Sequence, residues 1–433
     1  MSAGQGRGPV PWHLLPENSS IGSHGQLVIA GCDTLDLAAE FGTPVFAYDE
    51  EHLRARCREA VASFGSRAVY ATKAFLCTAM ARLVYEEGMG LDVATGGELH
   101  VALAAGVPGE RLTMHGNNKS VHELELAIDA GVGHIVVDSF DELDRLERLT
   151  ATASGDRVQI LLRVTPGVEA HTHEFIATGQ DDSKFGFTVS TGVAARAVER
   201  AGAIAGLDLV GFHAHIGSQV FRAESFAEAL AVVGDFAQPF GLPELVIGGG
   251  LGVAYVEGEE APAISQWSKI LLDAASAAGI TASLGIEPGR SIAAAAAVTI
   301  YTIGTIKELS GIRTYVAVDG GMSDNPRPVL YGSGYEAFLP REVAAARPRA
   351  ARVVGKHCES GDLLVREAHV PADVTVGDLL ATPVTGAYGH SMGSNYNKVL
   401  RPPVVFCRDG DARLVVRRET YDDLLSTDLG FSG

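Results

Sequence analysis

The sequence predicts an α/β protein in which a TIM-type (β/α)8 barrel precedes an all-β domain. Eight short apolar runs between Val69 and Glu287 have the composition of strands buried on both faces, and a helix-compatible segment follows each run except the last. After Gly289 the pattern changes to strands separated by turn signals such as Asp319-Gly-Gly. We therefore expect a barrel over residues 45–293 and a β-domain over 294–433, with residues 1–44 packed on the β-domain.

The first predicted helix shows the signals that define the other elements. Asp49 can cap it, Glu50 and Glu51 suit its first turn, and Gly65 can end it in a left-handed conformation.

A doubly wound sheet is the weaker alternative, because no Gly-x-Gly-x-x-Gly motif opens the first unit. The predicted barrel strands are 68–75, 90–95, 112–115, 134–139, 159–164, 209–216, 245–247 and 284–287, and those of the β-domain are 298–306, 314–319, 353–356, 378–381 and 413–418.

Composition excludes several classes of protein. The 433 residues are 46% hydrophobic and 20% charged, which is typical of a globular chain rather than a disordered one. The net charge of −19 disfavours binding to nucleic acid or to an anionic membrane surface. Five cysteines without a Cys-x-x-Cys motif disfavour a disulfide framework and a zinc site. With no signal peptide or membrane span apparent, we expect a cytoplasmic protein.

Candidate catalytic residues follow the carboxyl ends of the predicted strands, where barrel enzymes place their active sites. Lys73 ends a strand that is otherwise short of charge, and a desolvated lysine can form a Schiff base. Asp92 ends the next strand. The glycines of residues 248–252 leave backbone N–H groups accessible to a phosphate. Taken alone, a lysine that reaches solvent at a strand end is the simpler explanation of Lys73, and a flexible turn is the simpler explanation of the glycine run.

Other ionisable residues extend this set. Glu287 could keep the ring nitrogen of a cofactor protonated and Arg290 could bind a carboxylate, although an internal ion pair explains the motif equally well. His213 and His215 share a strand face, which raises a metal-site hypothesis that the same spacing at residues 171 and 173 repeats. Histidines that are simply hydrogen-bonded or stacked are the alternative in both places.

Three candidates lie in the predicted β-domain. Cys358 is followed by Glu359, and neighbouring acids raise the pKa of a thiol, which suits a proton donor better than a nucleophile. A purely structural cysteine is the alternative. Tyr331 and Tyr388 are aromatic hydroxyls in glycine-rich loops, where surface packing is the simpler explanation for each.

Eleven segments together carry more information than any one of them. Six of them resemble, in their order, the fold-type III pyridoxal-phosphate-dependent decarboxylases, which have an alanine racemase-like fold, and five resemble the branch that acts on diaminopimelate. The resemblance runs from about Leu35 to Leu425. The six are Tyr70-Ala-Thr-Lys-Ala, His215-Ile-Gly-Ser-Gln219, Gly248-Gly-Gly-Leu-Gly252, Glu287-Pro-Gly-Arg290, Cys358-Glu-Ser-Gly-Asp362 and Gly386-Ala-Tyr388; the five are His115-Gly-Asn-Asn-Lys-Ser120, His171-Thr-His-Glu-Phe175, Ser183-Lys-Phe-Gly186, Asp319-Gly-Gly-Met-Ser-Asp324 and Ser394-Asn-Tyr-Asn397.

The resemblance implies pyridoxal 5′-phosphate as cofactor and decarboxylation of meso-2,6-diaminopimelate to L-lysine and CO2. Lys73 would hold the cofactor through its amine, His215 would stack on the ring and Glu287 would pair with the ring nitrogen. Cys358 would protonate the carbanion, reaching the site of the other subunit of a homodimer together with Glu359. The implied cofactor-binding set is Lys73, Asp92, His215, Ser218, Gly250, Glu287, Gly289, Arg290 and Tyr388, and the implied substrate-binding set is Arg290, Arg327, Tyr331, Glu359 and Tyr388.

Four other functions stay open. A related decarboxylase acting on another α-amino acid in a secondary-metabolite pathway is the nearest, although two arginines and a glutamate favour a distal amino-acid group. An alanine racemase would need a tyrosine where Cys358 falls. A barrel metal hydrolase could use the His-x-His pairs, and an inactive regulatory relative would not need Lys73, His215 and Cys358 together.

The sequence also departs from the family pattern. Val246 replaces the usual acid, Gly389-His390 follows Tyr388 without a clear counterpart, and the segment between Val232 and Leu245 is short. That short segment could alter the distal pocket of the substrate site.

Overall fold

The computed structural model describes residues 7–151, 157–167 and 183–430. The chain divides into two compact units. The first, here called the β-unit, comprises Met1–Leu53, Ala254–Glu260 and Ala293–Gly433, and the second, the barrel unit, comprises Arg54–Val253 and Ala261–Ile292. The β-unit thus includes residues 45–53 and 254–260, which lie inside the range that the sequence suggested for the barrel.

The chain begins with a small antiparallel sheet in the order β1-β2-β3. Asp33 caps the first helix by accepting a hydrogen bond from the Leu35 N–H at 2.8 Å. Asp49 caps the second helix in the predicted manner, accepting from the His52 N–H at 3.0 Å. The elements are β1 (Ser19–Ile21), β2 (Leu27–Ile29), β3 (Cys32–Asp33), α1 (Thr34–Phe41), β4 (Val45–Asp49) and α2 (Glu50–Phe64).

Eight parallel strands form the predicted TIM-type barrel, in the order β5-β6-β7-β8-β9-β11-β12-β13. The ring closes where Ala68 forms a parallel bridge with Ile286. A short further strand, β10, pairs with β9 outside this ring. All eight predicted barrel strands are confirmed. They are β5 (Val69–Ala71), β6 (Gly90–Val93), β7 (Leu112–Met114), β8 (His134–Val137), β9 (Val158–Thr165), β10 (Phe187–Thr188), β11 (Leu207–Ala214), β12 (Glu244–Ile247) and β13 (Ser283–Gly285).

Helices follow the barrel strands and bury one face each. In α6 the buried residues include Leu143 and Leu146, which lie three positions apart on one face of the helix. Side-chain caps fix where α5 and α6 begin: Ser120 and Ser139 each accept a hydrogen bond from the backbone of the third helical residue. The helices are α3 (Thr78–Glu86), α4 (Gly96–Ala104), α5 (Val121–Asp129), α6 (Phe140–Thr150), α7 (Val193–Gly202), α8 (Glu224–Ala237), α9 (Ile264–Ala277) and α10 (Arg290–Ala293).

The β-unit is built on a sheet in the order β17-β16-β15-β14-β4-β19-β20, with β18 also paired to β14. Its apolar core joins buried side chains of β4 and β14 to those of β2 and α1. The elements are β14 (Ala297–Leu309), β15 (Arg313–Val318), α11 (Arg327–Tyr331), β16 (Arg349–Val354), β17 (Leu363–Val370), β18 (Leu379–Pro383), β19 (Val404–Arg408) and β20 (Asp411–Val416).

The five strands predicted after Gly289 are present, but β4, β17 and β19 were not predicted. Strand β4 ends at Asp49, which also caps helix α2. The sequence signal at this residue therefore indicated the helix and not the strand before it. Strand β17 contains Arg366 and Glu367, two exposed charges in succession that interrupt the alternation expected of a strand. No helix among the described residues is long and apolar enough to cross a membrane. All five cysteines, which lie in the described ranges, are free thiols.

Candidate active site

Lys73 lies on a tight turn just after β5. Its neighbours Thr72 and Ala74 are buried, while Lys73 is exposed. The Thr72 hydroxyl donates to the backbone carbonyl of Asp92 at 2.6 Å, and the Tyr70 hydroxyl donates to the carbonyl of Phe75 at 2.9 Å. These bonds fix the backbone on both sides of the lysine. The Lys73 side chain is exposed, whereas the sequence suggested a desolvated lysine.

Two carboxylates and a histidine meet at this end of the barrel. Asp92, on β6, and Glu287, two residues past β13, are 8% and 7% exposed. The His115 Nε2 atom lies 3.3 Å from an Asp92 oxygen and 3.2 Å from a Glu287 oxygen. His115 follows β7, so three strands contribute one group each to this cluster.

His213 supplies a second imidazole to Glu287. Its Nε2 atom lies 2.9 Å from the other Glu287 oxygen, and its ring meets that of His115 edge-on with centroids 4.9 Å apart. Burial lowers the pKa of His213 to about 4. The ring is therefore neutral at pH 7 and donates its Nε2–H to the carboxylate.

The electrostatics separate the two acids. Burial, with Glu287 as the second cause, raises the pKa of Asp92 to about 7. Burial would also raise the pKa of Glu287, but His213 and His115 hold it well below its usual range. For His115, burial acts to lower the pKa, while Glu287 and Asp92 raise it to about 9. At neutral pH the cluster thus contains an ionised Glu287 beside a cationic His115.

The sequence suggested a metal site at His213 and His215, but the structure brings His213 together with two other potential ligands. One potential ligand atom each from His115, His213 and Glu287 lies within 4.8 Å of the others. The hydrogen bond and the ion pairs to Glu287 already account for that proximity, and His215 is not a member of the group. Residues 171 and 173 lie outside the described residues.

The glycine-rich loop after β12 packs so closely against its neighbours that side chains on it would clash with them. We call Gly248, Gly249 and Gly250 the glycine cradle. A Cβ atom on Gly248 would lie 2.6 Å from the His215 ring, and one on Gly249 would lie 2.0 Å from the Glu287 carbonyl oxygen. Gly250 has a φ of +110°, and its Cβ would lie 2.0 Å from the carbonyl oxygen of Gly217. Glycine is therefore required at all three positions to bring this loop against its neighbours.

The other predicted phosphate ligands surround this cradle. The Arg290 Nη2 donates to the Ser218 hydroxyl at 2.9 Å. A Cβ on Gly289 would lie 2.9 Å from the Ala71 carbonyl oxygen, next to the turn that carries Lys73. His215 is half-buried, and burial followed by the charge of Lys73 keeps its pKa well below 6.5. The structure thus gathers the predicted cofactor residues of the barrel unit at one end of the barrel.

Arg327 begins α11 in the β-unit and is 4% exposed. Its Nη1 donates to the Tyr335 hydroxyl at 2.6 Å, and its guanidinium carbon lies 4.2 Å from the centre of the Tyr255 ring. Burial opposes the charge, but the two tyrosines outweigh it and raise the pKa of Arg327. Neither tyrosine was predicted, although Tyr255 belongs to the segment that immediately follows the glycine loop.

Cys358 and Glu359 lie on an exposed loop that is held mainly through its backbone. The Asn397 side-chain oxygen accepts from the Cys358 N–H at 3.1 Å, and Glu359 accepts from the Tyr396 hydroxyl at 3.2 Å. The buried His357 bonds the Ser323 hydroxyl at 2.8 Å. These contacts give a local reason for the Ser394-Asn-Tyr-Asn397 motif.

The glycines of the Asp319-Gly-Gly-Met-Ser-Asp324 motif allow a close approach of backbone to side chains. A Cβ on Gly321 would lie 2.7 Å from the carboxylate oxygens of Asp362, which accept from the Met322 and His357 N–H groups at 2.7 and 2.9 Å. Asp362, the last residue of the Cys358 motif, thus ties the two loops together.

The remaining candidates of the β-unit are two tyrosines. Tyr388 is half-buried with a φ of 60°, and its hydroxyl contributes to the charge environment of Arg327. Tyr331 is half-buried at the end of α11. His390, one of the family departures, packs edge-on against Phe46 at 6.0 Å, where burial lowers its pKa to about 4.

The barrel residues suit pyridoxal phosphate. The cradle formed by Gly248, Gly249 and Gly250 leaves backbone accessible where a phosphate could lie, and Glu287 is an ionised carboxylate suited to a protonated ring nitrogen. Lys73 offers the exposed amine that a carbonyl compound requires.

Comparisons with known proteins agree with this geometry. A family model described as pyridoxal-dependent decarboxylase, pyridoxal binding domain, matches residues 50–294. The diaminopimelate decarboxylase of Mycobacterium tuberculosis (strain ATCC 25618 / H37Rv) is 48% identical over 438 residues, covering 96% of this chain and 98% of that protein. The one from Bacillus subtilis (strain 168) is 45% identical, covering 94% and 96%.

A solved structure is similar over the same extent. The diaminopimelate decarboxylase of M. jannaschii in complex with L-lysine matches with a TM-score of 0.88 and 31% identity, covering 96% of this chain and 98% of that one. The fold, the matching family model and the coverage of nearly the whole chain all indicate the same family. The chain belongs to the pyridoxal-dependent decarboxylases, and within them to the diaminopimelate decarboxylase family.

Proposed function

We infer that the chain catalyses the pyridoxal-phosphate-dependent decarboxylation of meso-2,6-diaminopimelate to L-lysine and CO2. The observation that carries this inference is the end of the barrel, where the ionised Glu287, the exposed Lys73 and the glycine cradle are positioned by one set of strands. The relatives that match nearly the full chain support the same reaction rather than that of a secondary-metabolite decarboxylase.

Each barrel residue has a task that follows from its chemistry. When bound, pyridoxal phosphate supplies an electron sink for the electron pair of the bond to the departing carboxylate. Lys73 would hold the cofactor through its amine. Glu287 would keep the ring nitrogen protonated, and the His215 imidazole would stack on the ring. Ser218, Gly250, Gly289 and Arg290 would hold the phosphate together with Tyr388 of the β-unit, and Asp92 belongs to the cluster that positions Glu287.

The β-unit supplies the residues for the rest of the substrate and for the proton. Arg327 binds the distal carboxylate, because a planar guanidinium matches a carboxylate with two hydrogen bonds. Glu359 suits the distal ammonium group, and Arg290, Tyr331 and Tyr388 complete the substrate site. Cys358 returns a proton to the α-carbon after CO2 leaves.

The active site is shared within a cytoplasmic homodimer. Cys358 is exposed in this chain on a loop that is fixed through Asn397 and Asp362, which suits a group presented to another subunit. A two-fold dimer makes this contact twice and so completes two equal sites.

One assay tests the activity. The purified protein, loaded with pyridoxal phosphate, is incubated with meso-diaminopimelate, and released CO2 and lysine are measured. We expect stoichiometric CO2 and L-lysine, with no turnover by a Lys73→Ala variant. CO2 release from ornithine or lysine, without turnover of diaminopimelate, would instead support the alternative decarboxylase.

A further inference from the structure

A buried lysine holds the loop on which His115 lies. Lys119 is 1% exposed, and its ammonium group donates to the carbonyl oxygens of Gly116 and Val136, both at 2.7 Å. It also lies 2.6 Å from the Glu142 carboxylate. The ammonium group is therefore held by two hydrogen bonds to the backbone and by an ion pair inside the protein. The bond to Gly116 closes the loop directly after His115.

The backbone of His115 is fixed from its other side as well. Its N–H donates to the Val93 carbonyl oxygen at 2.7 Å, which continues the pairing of β7 with β6. Gly116 adopts a φ of +122°, a conformation that side chains disfavour, and a Cβ there would lie 3.1 Å from the Ala94 carbonyl oxygen. The chain thus turns sharply after His115 and leaves the imidazole facing the two acids.

The position of that imidazole matters because it is shared by two carboxylates. One nitrogen lies within 3.3 Å of both Asp92 and Glu287. His213 also lowers the pKa of Glu287, and its Nε2 atom contacts the other oxygen of that carboxylate. Two buried carboxylates so close to a common atom cannot both stay ionised without a cation, since like charges in a buried site force one of them to take up a proton.

We propose that His115 is an electrostatic positioning residue whose imidazolium keeps Glu287 ionised for its pairing with the ring nitrogen of the cofactor. This inference rests on the proposed function, since it assigns a partner to Glu287. Because His115 lies between the two acids, its positive charge favours an ionised Glu287, whose negative charge matches one protonated ring nitrogen.

The charged surroundings of His115 are contributed by several elements. Asp92 faces it from β6, Glu287 from the segment after β13 and His213 from β11. The carboxylate of Asp138, after β8, is more distant but is influenced by the charge of His115. Two further cations act on this region, Arg163 of β9, which pairs with Asp138 at 3.9 Å and acts by charge on Glu287, and Lys73, which acts by charge on Asp92. His115 differs from them in that one of its nitrogens lies within 3.3 Å of both carboxylates.

The first test needs neither cofactor nor turnover. Histidine carrying 13C in the ring is incorporated into the apoprotein, and the His115 signal is identified by its loss in a His115→Gln variant. We expect this signal to titrate at a pKa well above the ordinary value of about 6.5, and to move back toward it in Asp92→Asn. A wild-type signal that titrates at about 6.5 or below would overturn the proposal.

The second test measures cofactor affinity against pH. The His115→Gln variant retains a polar group of similar reach but carries no charge, so Asp92 and Glu287 must then share a proton near neutral pH. We expect its dissociation constant for pyridoxal phosphate to rise roughly tenfold between about pH 8 and about pH 6, while that of the wild type changes less than about threefold. An unchanged pH profile in the variant would refute the proposal.

Two variants separate charge from structure. His115→Lys restores a permanent cation and should return the flat pH profile. His122→Gln, a change on the exposed surface of α5 in the same region, should behave like the wild type. Because both tests read titration or cofactor binding, they stand even if the enzyme prefers another amino acid, and a loss of diaminopimelate turnover alone would not decide them.

Discussion

The barrel unit and the β-unit hold their charged groups in different ways. In the barrel unit, Asp92 and Glu287 are buried and depend on neighbouring imidazoles for their protonation states. In the β-unit, Glu359 is exposed on a loop that is held through its backbone, and Arg327 is buried between aromatic rings. We infer that the barrel unit determines proton affinity, whereas the β-unit determines where the groups that meet the substrate are placed. The predictions below test this distinction.

The largest effect is expected at Lys73. A Lys73→Ala variant should lose activity by about three orders of magnitude or more, because no other amine projects from the turn after β5 among the described residues. Borohydride treatment of the loaded wild type, followed by peptide mass spectrometry, should find the cofactor on Lys73. Labelling of a different lysine would show that Lys73 is not the residue that binds the cofactor.

The second effect is on stability and sharpens the role of burial. Lys119→Met removes the cation from a pair in which both side chains are at most 2% exposed, leaving Glu142 as an unpaired buried charge. We expect a loss of about 3–5 kcal/mol in the free energy of unfolding, measured with urea. The matched control is Lys269→Met, which breaks an exposed pair with Asp273 on α9 and should cost less than about 1 kcal/mol. Equal losses in the two variants would show that burial does not make the difference.

The third effect concerns placement in the β-unit. Arg327→Lys retains the charge but loses the planar fork and the stacking on Tyr255. We expect kcat/KM for meso-diaminopimelate to fall at least about tenfold, or roughly 1.4 kcal/mol of transition-state binding. The exposed Arg366→Lys change on β17 serves as control. Unchanged kinetics in Arg327→Lys would mean that the distal carboxylate binds elsewhere.

The fourth prediction asks whether the two units act across subunits. Lys73→Ala and Cys358→Ala chains should each be nearly inactive, but random exchange makes half of the dimers mixed, and one site in each mixed dimer keeps both native residues. Activity should therefore recover to about one quarter of the wild-type value. If exchange is verified by mass and no activity returns, Lys73 and Cys358 must serve the same chain's site.

The smallest effect is a pH dependence of stability. Because the folded pKa of His115 is raised to about 9, its contribution to stability is full below its unfolded pKa of about 6.5. That contribution disappears as pH rises through about 9. The difference in Tm between the wild type and His115→Gln should accordingly be greatest in mildly acidic buffer and shrink above neutrality. A difference that grows with pH would contradict the sign of the shift.

Much of the barrel unit could be predicted because its signals are local. Strands buried on both faces give apolar runs, and the glycines at 248–250 mark a backbone approach that no other residue allows. The role of His115 could not be predicted in the same way. Its partners Asp92 and Glu287 are remote in sequence, and only the closure of the barrel brings them within 3.3 Å of one nitrogen.

The β-unit was harder to predict for a related reason. Its sheet joins β4, near the start of the chain, to β14 and β19, so the pairing depends on contacts between distant segments. The aromatic neighbours of Arg327 likewise come from outside its motif, and Tyr255 comes from the segment 254–260 that the β-unit includes. Periodicity can indicate a strand, but it does not identify the strand's neighbour.

The packing of Arg327 against Tyr255 and Tyr335 also has a consequence for conformational entropy. A mobile arginine loses about 2 kcal/mol of rotamer freedom when it is fixed, and a ligand that must fix it binds more weakly by part of that amount. Here the guanidinium is already oriented by a hydrogen bond to Tyr335 and a ring face. The ordering therefore occurs during folding, so a carboxylate that binds Arg327, as we propose, would not have to fix its side chain.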